Sequence, residues 1–255
     1  MSNTPAAQQP VRPLTKALSL IFIGGIADSG KSVLIDQISA HANDVKSFAV
    51  SDFLKDTLST KRNYTKEKLG PEVTLIDWKS HEPDAIKELC AKIEECFNDV
   101  SKNTVIVNTH FATYSPGGFM IGLDPNSIDL ICHACKLTDP GATSKAVVVL
   151  VDIGIADVLH RREKRWTASV DTFTIGSALA QDLESNRLYA LQYYMLLTAT
   201  LGRLRVLYHR LSVDYNSETH LHEELEKVPE FKLALNTFSE FLAYHGFIRE
   251  KHTWR

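Results

Sequence analysis

A glycine-rich stretch, Gly25–Ser32, carries the residue types and spacing with the most evident chemistry in the chain. It reads G-x-x-x-x-G-K-S, follows the apolar run Leu18–Ile23 and precedes a helical pattern that begins at Val33. Glycines at these positions let backbone N–H groups turn inward and cradle phosphate oxygens, and the N-terminus of the following helix adds partial positive charge. The strand–loop–helix context therefore predicts a phosphate-binding loop for a nucleotide, rather than a glycine-rich turn that fits the pattern by chance.

This loop predicts two cofactors, ATP and Mg²⁺. Lys31 has the length and charge to reach the β- and γ-phosphates, and the hydroxyl of Ser32 is a ligand for Mg²⁺. The predicted ATP-binding residues are Gly25, Ile26, Ala27, Asp28, Ser29, Gly30, Lys31, Ser32 and Val33.

Composition narrows the class of protein. The chain has 255 residues, enough for one sizeable α/β domain, with 44% hydrophobic and 23% charged residues. Its net charge of −3 gives no general attraction to nucleic acid or anionic lipid. No apolar run approaches the roughly 18 residues that span a bilayer. We therefore expect no membrane association. The same features disfavour a nucleic-acid partner and leave the oligomeric state open.

Two features bear on the cellular location. Lys16 and the apolar run Ala17–Ala27 resemble a secretory signal, but the run continues into the phosphate loop and has no polar cleavage region. The four cysteines, at positions 90, 96, 132 and 135, are too few for a disulfide scaffold and suit a reducing cytosol. Cys132 and Cys135 form a single C-x-x-C without a second pair, so core packing is favoured over a metal site. The expected location is the cytoplasm.

The hydrophobic pattern predicts a doubly wound α/β fold. Short apolar runs are typical of strands buried on both faces, and helical patterns lie between them. Their alternation predicts a five-stranded parallel sheet with ligands at the carboxyl ends of its strands. Residues 1–16 are predicted to be a disordered tail. The strands are predicted at Leu18–Ile23, Ser47–Val50, Thr104–Asn108, Ala146–Val151 and Leu204–Tyr208, and the helices at Lys31–Ala42, Asp52–Leu58, Pro83–Val100, Ser127–Lys136, within Ile155–Thr200, and at Ser217–Lys227 and Phe231–Tyr244.

Polar residues follow two of the predicted strands. Ser51 and Asp52 come after the second strand, where they either meet an acceptor or cap a helix. Asn108, Thr109 and His110 come after the third strand, beside the predicted loop. Asn108 is placed to hold a metal ion through water, although it is neutral where a carboxylate is more usual. His110 is open to three roles: a base, a stacking surface for a nucleobase, or a structural histidine.

A cationic segment, His160–Trp166, follows the fourth predicted strand. Arg161 and Arg162 lie within it, and Arg187 lies on the next predicted helix. One interpretation is a helix end whose cations complement the helix dipole. The other is a mobile lid that closes planar guanidinium groups over the transferring phosphate. The position at a strand end favours the lid.

These residues together resemble the archaeal-type adenylate kinase family of P-loop kinases, over about residues 18–210. The T-H…P-x-G-[FY]…G-L run is the most specific part, because the phosphate loop is common to all P-loop proteins. The resemblance implies a P-loop kinase domain with a lid at about 161–174. We assign residues 17–255 to this domain, including the C-terminal helices that the hydrophobic pattern predicts at about 217–244. It is carried by Gly25–Ser32, by Val105–His110 with Ser115–Leu123, by Val148–Asp152 with Val158–Arg162, and by Asp182–Tyr193.

The resemblance also implies roles for individual residues. Two places depart from the family pattern: Asn108 stands where the family has Asp, and Thr167–Asp171 stands where its lid has R-x-R-D, with Arg165 as the nearest arginine. By the resemblance, Gly25, Gly30, Lys31 and Ser32 bind ATP and Mg²⁺, Ser51, Thr109, His110 and Gly118 lie near the acceptor, and Arg161, Arg162 and Arg187 bind phosphates during transfer.

Three functions are compatible with these features. The first is an ATP-dependent kinase that acts on a nucleoside monophosphate or a related small acceptor, with Lys31 and the arginines stabilising the transferring phosphate. The second is a nucleotide-binding regulator or an ATPase without kinase activity, which Asn108 and the sparse lid arginines suggest. The third is a kinase of nucleic-acid ends or modified nucleotides, which only the basic segment supports.

Overall fold

The computed structural model describes residues 16–62, 75–115, 118–159, 172–213 and 227–254. Most of the predicted tail and lid, including Arg161 and Arg162, and most of the predicted helix Ser217–Lys227 lie outside these ranges. Among the described residues, no helix has the length and apolar character needed to cross a membrane.

Five parallel strands form the central sheet, as the hydrophobic pattern predicts. Its order is β2-β3-β1-β6-β7, so β1 lies in the centre with β3 and β6 as neighbours. A separate antiparallel hairpin, β4–β5, follows β3 and was not predicted from the sequence. The strands are β1 Ser19–Gly24, β2 Val45–Ala49, β3 Thr104–Asn108, β4 Ala112–Ser115, β5 Gly118–Ile121, β6 Ala146–Ile153 and β7 Val206–Val213.

Helices cover both faces of this sheet, which makes the fold a doubly wound α/β fold. They are α1 Lys31–His41, α2 Val50–Arg62, α3 Leu75–Glu95, α4 Pro125–Ala134, α5 Thr172–Leu201 and α6 Pro229–Tyr244. Residues 155–159 are also helical. Strands buried on both faces must be apolar at every position, and for this reason all eight residues of β6 are buried.

The prediction that a helix starts at Pro83 was wrong, because α3 begins at Leu75 and continues through the proline. Side chains of the preceding turn are bonded to the segment after the hairpin. Lys79 donates to the carbonyl of Gly122, and Glu82 accepts from the hydroxyl of Ser127. These tertiary contacts hold the turn in a helical conformation even though Pro83 has no N–H to complete the helical hydrogen bonding.

Two apolar layers sandwich the sheet, and α5 takes part in both. Leu179 and Leu183, near its start, pack in the layer that contains α1 and α6. Tyr193 and Leu197, further along, pack in the layer that contains α3 and α4. The middle of α5 therefore passes from one layer to the other. Cys96, Cys132 and Cys135 are buried in the second layer, and burial raises the pKa of Cys132 to about 12, as expected of a packing residue.

Two side chains of α5 fasten the segment that follows β3. The amide of Asn186 accepts from the N–H groups of Phe111 (3.1 Å) and Ala112 (3.3 Å) and donates to the carbonyl of Ala112 (3.0 Å). The hydroxyl of Tyr193 bonds both the N–H and the carbonyl of Leu123. Both α5 residues are completely buried, so the backbone at the end of β3 is held in one position.

Gly122 closes this segment against the backbone of His110. Its N–H donates to the carbonyl of Phe111 over 2.8 Å, and a Cβ atom at Gly122 would lie 1.6 Å from the carbonyl oxygen of His110. A side chain of any size is excluded at such a separation. The G-L pair of the sequence motif is therefore a packing requirement at the end of β3.

We expect Gly122→Ala to lower the free energy of unfolding by about 3 kcal/mol, because the backbone must move to relieve the clash with His110. Gly176→Ala, in α5, is the matched control: its new Cβ meets nothing within 4 Å. Alanine favours a helix over glycine, so this control should gain about 0.5–1 kcal/mol. Urea unfolding of both variants checks the signs; equal effects would contradict the packing requirement.

Candidate nucleotide-binding site

The phosphate loop lies between β1 and α1, as the sequence predicts, and packs against β6. Gly25 has a φ of 151°, and a Cβ atom there would lie 2.4 Å from the carbonyl oxygen of Val151. Only glycine allows this approach of the loop to β6. Gly30 is the last residue before α1, so Lys31 and Ser32 occupy the first turn of that helix. The two glycines of the motif thus bracket the turn that brings the loop to the helix N-terminus.

Lys31 is turned back onto the loop. Its side chain is buried, with 7% exposure, and its Nζ donates to the carbonyls of Gly25 (2.9 Å) and Ile26 (2.6 Å) and lies 3.4 Å from the hydroxyl of Ser29. Burial lowers the pKa of Lys31 to about 8, against the opposing effect of the Asp182 and Asp28 carboxylates. The direct carbonyl partners of this buried ammonium group are neutral, and a phosphate would bring a negative charge into contact with it.

The donor set beside the loop fits a magnesium ion. Ser32 is exposed at the start of α1. Asn108 is the last residue of β3 and pairs with Ile23, near the end of β1. It therefore lies at the carboxyl ends of the strands, next to the loop, as predicted. The carboxylates of Asp28 and Asp182 interact with the neighbouring Lys31. Hydroxyl, amide and carboxylate oxygens are the hard ligands that Mg²⁺ prefers, so the types of donor atom near the loop fit this ion.

His110 and Thr109 are both bonded to the strand ends around the loop. The Nδ1 atom of His110 lies 3.0 Å from the carbonyl oxygen of Gly25, which can only accept, so this nitrogen carries a proton. The N–H of Thr109 donates to the carbonyl of Ile23 over 3.0 Å, and its hydroxyl donates to the carbonyl of His110 over 3.2 Å. These contacts give both residues a structural role.

Ser51 and Asp52 lie inside the first turn of α2, which begins at Val50. Neither residue precedes the helix, so the interpretation of the pair as an N-cap is wrong. Asp52 is exposed and lies 3.9 Å from Lys55. Because β2 and β3 are parallel neighbours, this turn lies at the same end of the sheet as Asn108. Gly118 begins β5, in the hairpin beyond His110.

Arg187 is held beside the loop by a buried carboxylate that sequence reasoning did not single out. Its Nε and Nη2 atoms lie 3.1–3.3 Å from the oxygens of Asp152, which is only 4% exposed and directly follows Val151 in β6. Its Nη1 donates to Glu184. Arg210, from β7, also pairs with Asp152. The position of Asp152 after a buried strand is a sequence signal for a site residue, whereas nothing in the sequence points to Arg210.

No protein-family model matches the chain, and no curated protein matches it. Several solved structures resemble it in part. A shikimate kinase from Bacteroides thetaiotaomicron is 14% identical, with a TM-score of 0.46 over 89% of this chain and 99% of that one. A candidate kinase from Chloroflexus aurantiacus is 10% identical, with a TM-score of 0.44 over 90% and 98% of the two chains. A tunicamycin resistance protein from Deinococcus radiodurans is 14% identical, with a TM-score of 0.37 over 72% and 96%.

These likenesses are too distant to assign an activity to this chain. The fold follows from the strand order and the phosphate loop themselves: a five-stranded parallel sheet in which the central strand leads through G-x-x-x-x-G-K-S into a helix. The chain therefore has a P-loop α/β fold. The archaeal-type adenylate kinase resemblance is not confirmed by these comparisons.

We expect Lys31→Met to raise the free energy of unfolding of the nucleotide-free protein at pH 7 by about 1–3 kcal/mol. The pKa of Lys31 is lowered in the folded state, so folding at this pH includes the cost of burying the charged form. This cost fades as the pH rises through 8 and the lysine loses its proton. The difference between variant and wild type, measured by urea unfolding, should therefore shrink between pH 8 and 10.

Lys87→Met is the control, because Lys87 is an exposed residue of α3 whose side chain is 75% accessible. It should change the unfolding free energy by no more than about 0.5 kcal/mol, at either pH. A Lys31→Met protein that is less stable than wild type at pH 7 would show that the loop carbonyls fully compensate the buried charge.

Proposed function

We propose that this protein is an ATP-dependent phosphotransferase that moves the γ-phosphate of ATP to a nucleoside monophosphate or a related small acceptor. The observation that carries the proposal is the buried Lys31 ammonium inside a complete phosphate loop, with the Asp152–Arg187 pair beside it. A phosphoryl transfer asks for little covalent chemistry from the protein and depends on positioned cations. The other residues near the loop are assigned below to the donor, the acceptor or the transferring phosphate.

On the donor side, the loop N–H groups and Lys31 bind the β- and γ-phosphates of ATP. The phosphates take the place of the Gly25 and Ile26 carbonyls as partners of Nζ. In a buried site the ammonium stabilises the charge that develops on the transferring group more strongly than it would in water. Mg²⁺, when bound with ATP, supplies further positive charge, and Ser32 is the loop residue that would hold it.

The acceptor is assigned to the region next to the carboxyl ends of β2 and β3. Ser51 and Asp52 border this region from α2, and Thr109, His110 and Gly118 border it from the segment after β3. Parallel α/β sheets place ligands in this region, next to the phosphate loop. His110, whose Nδ1 contacts the Gly25 carbonyl, is assigned to the acceptor as a hydrogen-bonding or stacking group.

Arg187 is assigned to the transferring phosphate. Asp152 binds one edge of its guanidinium through Nε and Nη2, and this contact fixes the plane of the group. The other edge, at Nη1, is bonded to Glu184, whose side chain is 69% exposed and easily released to water. A phosphate replaces Glu184 at Nη1 without breaking the Asp152 pair. Arg161 and Arg162 are proposed as lid residues that approach from outside the described part of the chain.

The resemblance to archaeal-type adenylate kinases supports a nucleoside monophosphate as the acceptor. Asn108 in place of Asp supports the second candidate, a nucleotide-binding regulator or ATPase without kinase activity, because a neutral ligand weakens the hold on the metal ion. The two candidates share the loop and differ only in whether an acceptor increases the turnover of ATP.

The proposal is tested by measuring ADP formation from ATP and Mg²⁺ with a panel of nucleoside monophosphates. One member of the panel should raise ADP formation above the acceptor-free rate, and Lys31→Met should lower that rate at least about 100-fold, because it removes a cation from the transferring phosphate. Lys87→Met should retain the wild-type rate. Acceptor-independent hydrolysis would favour the ATPase, and a wild-type rate no greater than that of Lys31→Met would exclude both activities.

The affinity for ATP should also depend on pH in a way set by Lys31. Its pKa of about 8 means that the ammonium is mostly charged at pH 7 and mostly neutral at pH 9. We expect the Kd for ATP to be nearly constant up to about pH 8 and then to rise by up to about tenfold per pH unit, since binding requires the charged form. Fluorescence titration with a labelled ATP analogue measures this. Lys31→Arg keeps its charge and should lack the rise; an identical rise in both proteins would assign it to another group.

A further inference from the structure

A second arginine, Arg210, is bonded to the carboxylate that holds Arg187. From β7, the Nε of Arg210 donates to the Oδ2 of Asp152 over 2.5 Å, and its Nη2 contacts the same oxygen. From α5, Arg187 reaches both oxygens of this carboxylate over 3.1–3.3 Å. Asp152 is only 4% exposed, so its charge is balanced by these two guanidinium groups rather than by water. Together the three residues form what we call the Asp152 cluster.

The strand of Arg210 lies on the far side of β6 from β1, the strand that leads into the phosphate loop. Arg210 pairs with Leu150 in the register of the sheet, whereas Ser212 is the residue of β7 that pairs with Asp152. The loop approaches β6 at the carbonyl of Val151, directly before Asp152. The contact with Asp152 is thus what connects Arg210 to the candidate site.

The charges around Arg187 determine how strongly it attracts a phosphate. Glu184 is bonded to the Nη1 of Arg187. With Arg210 and Asp152, these side chains supply two positive and two negative charges, which cancel. A phosphate that replaces the exposed Glu184 meets the Asp152 cluster, whose net charge is positive because both arginines keep their protons. Without Arg210, the buried Asp152 would offset the whole charge of Arg187.

We propose that Arg210 is a positioning residue of the phosphotransferase: its pairing with Asp152 neutralises that carboxylate and leaves the charge of Arg187 available to the transferring phosphate. The inference rests on the proposed function, because it takes Arg187 as a phosphate-binding residue. Asp152 fixes the plane of the Arg187 guanidinium, and Arg210 removes the electrostatic cost of this support. Arg210 acts through Asp152 and needs no contact with ATP or the acceptor.

The test is a double-mutant cycle between Arg210 and Asp152 on ADP formation from ATP and Mg²⁺. The rate is measured with the most active nucleoside monophosphate of the panel, or without acceptor if none increases it. Arg210→Met should lower kcat about tenfold and change the KM for ATP by no more than about twofold, because the lost charge acts on the transferring group. In Asp152→Asn the charge that Arg210 offsets is gone, so adding Arg210→Met should change kcat by less than about twofold.

Two further variants separate the possible outcomes. Arg210→Lys keeps a positive charge beside Asp152 and should retain most of the wild-type kcat, so its contrast with Arg210→Met decides the test even if Asp152→Asn does not fold. Arg203→Met changes an exposed arginine of the turn before β7 and should leave kcat unchanged.

Three results would overturn the inference: wild-type kcat in Arg210→Met, equal losses in Arg210→Met and Arg210→Lys, or the same loss from Arg210→Met with and without the Asp152 carboxylate. The last result would show that Arg210 supports the fold or contacts the phosphate itself. Wild-type protein that forms no ADP would contradict the proposed function, and the inference with it.

Discussion

Lys31 keeps an ammonium group buried at the junction of β1 and α1, bonded to two neutral carbonyls. Burying a cation away from water is unfavourable, and for this reason burial lowers the pKa of this lysine. Several features of the fold position this ammonium group. Gly25 allows the loop to lie against β6, and β1 is the central strand of the sheet, between β3 and β6. The site is in this sense prepared for an anion before one arrives.

Helix α5 connects the segments that lie around the carboxyl ends of the strands. It crosses from one apolar layer to the other, and Asn186 and Tyr193 bond the backbone on both sides of the β4–β5 hairpin. The neighbouring Arg187 is bonded to Asp152 at the end of β6. One helix therefore holds the proposed acceptor segment and the proposed phosphate-binding arginine in a fixed relation. The buried hydrogen bonds leave little freedom between the two.

The sequence was sufficient for the sheet and the loop because both depend on local patterns. Runs of buried apolar residues identified the five strands, and glycine spacing identified the loop. The sequence was insufficient where contacts between residues far apart in the chain determine the local structure. The helix that continues through Pro83 is held by contacts with Gly122, and the hairpin after β3 has no strong alternation of its own. The partner of Arg187 is 35 residues away, at Asp152, and the sequence did not predict this pair.

The pairing of charges beside the loop determines what an arriving phosphate meets at the end of β6. Asp152 is buried there and is bonded to both Arg187 and Arg210. A carboxylate that is paired with two guanidinium groups repels a neighbouring phosphate much less than an unpaired one would, because the cations offset its charge. The two arginines therefore allow a carboxylate to be buried next to an anion-binding loop.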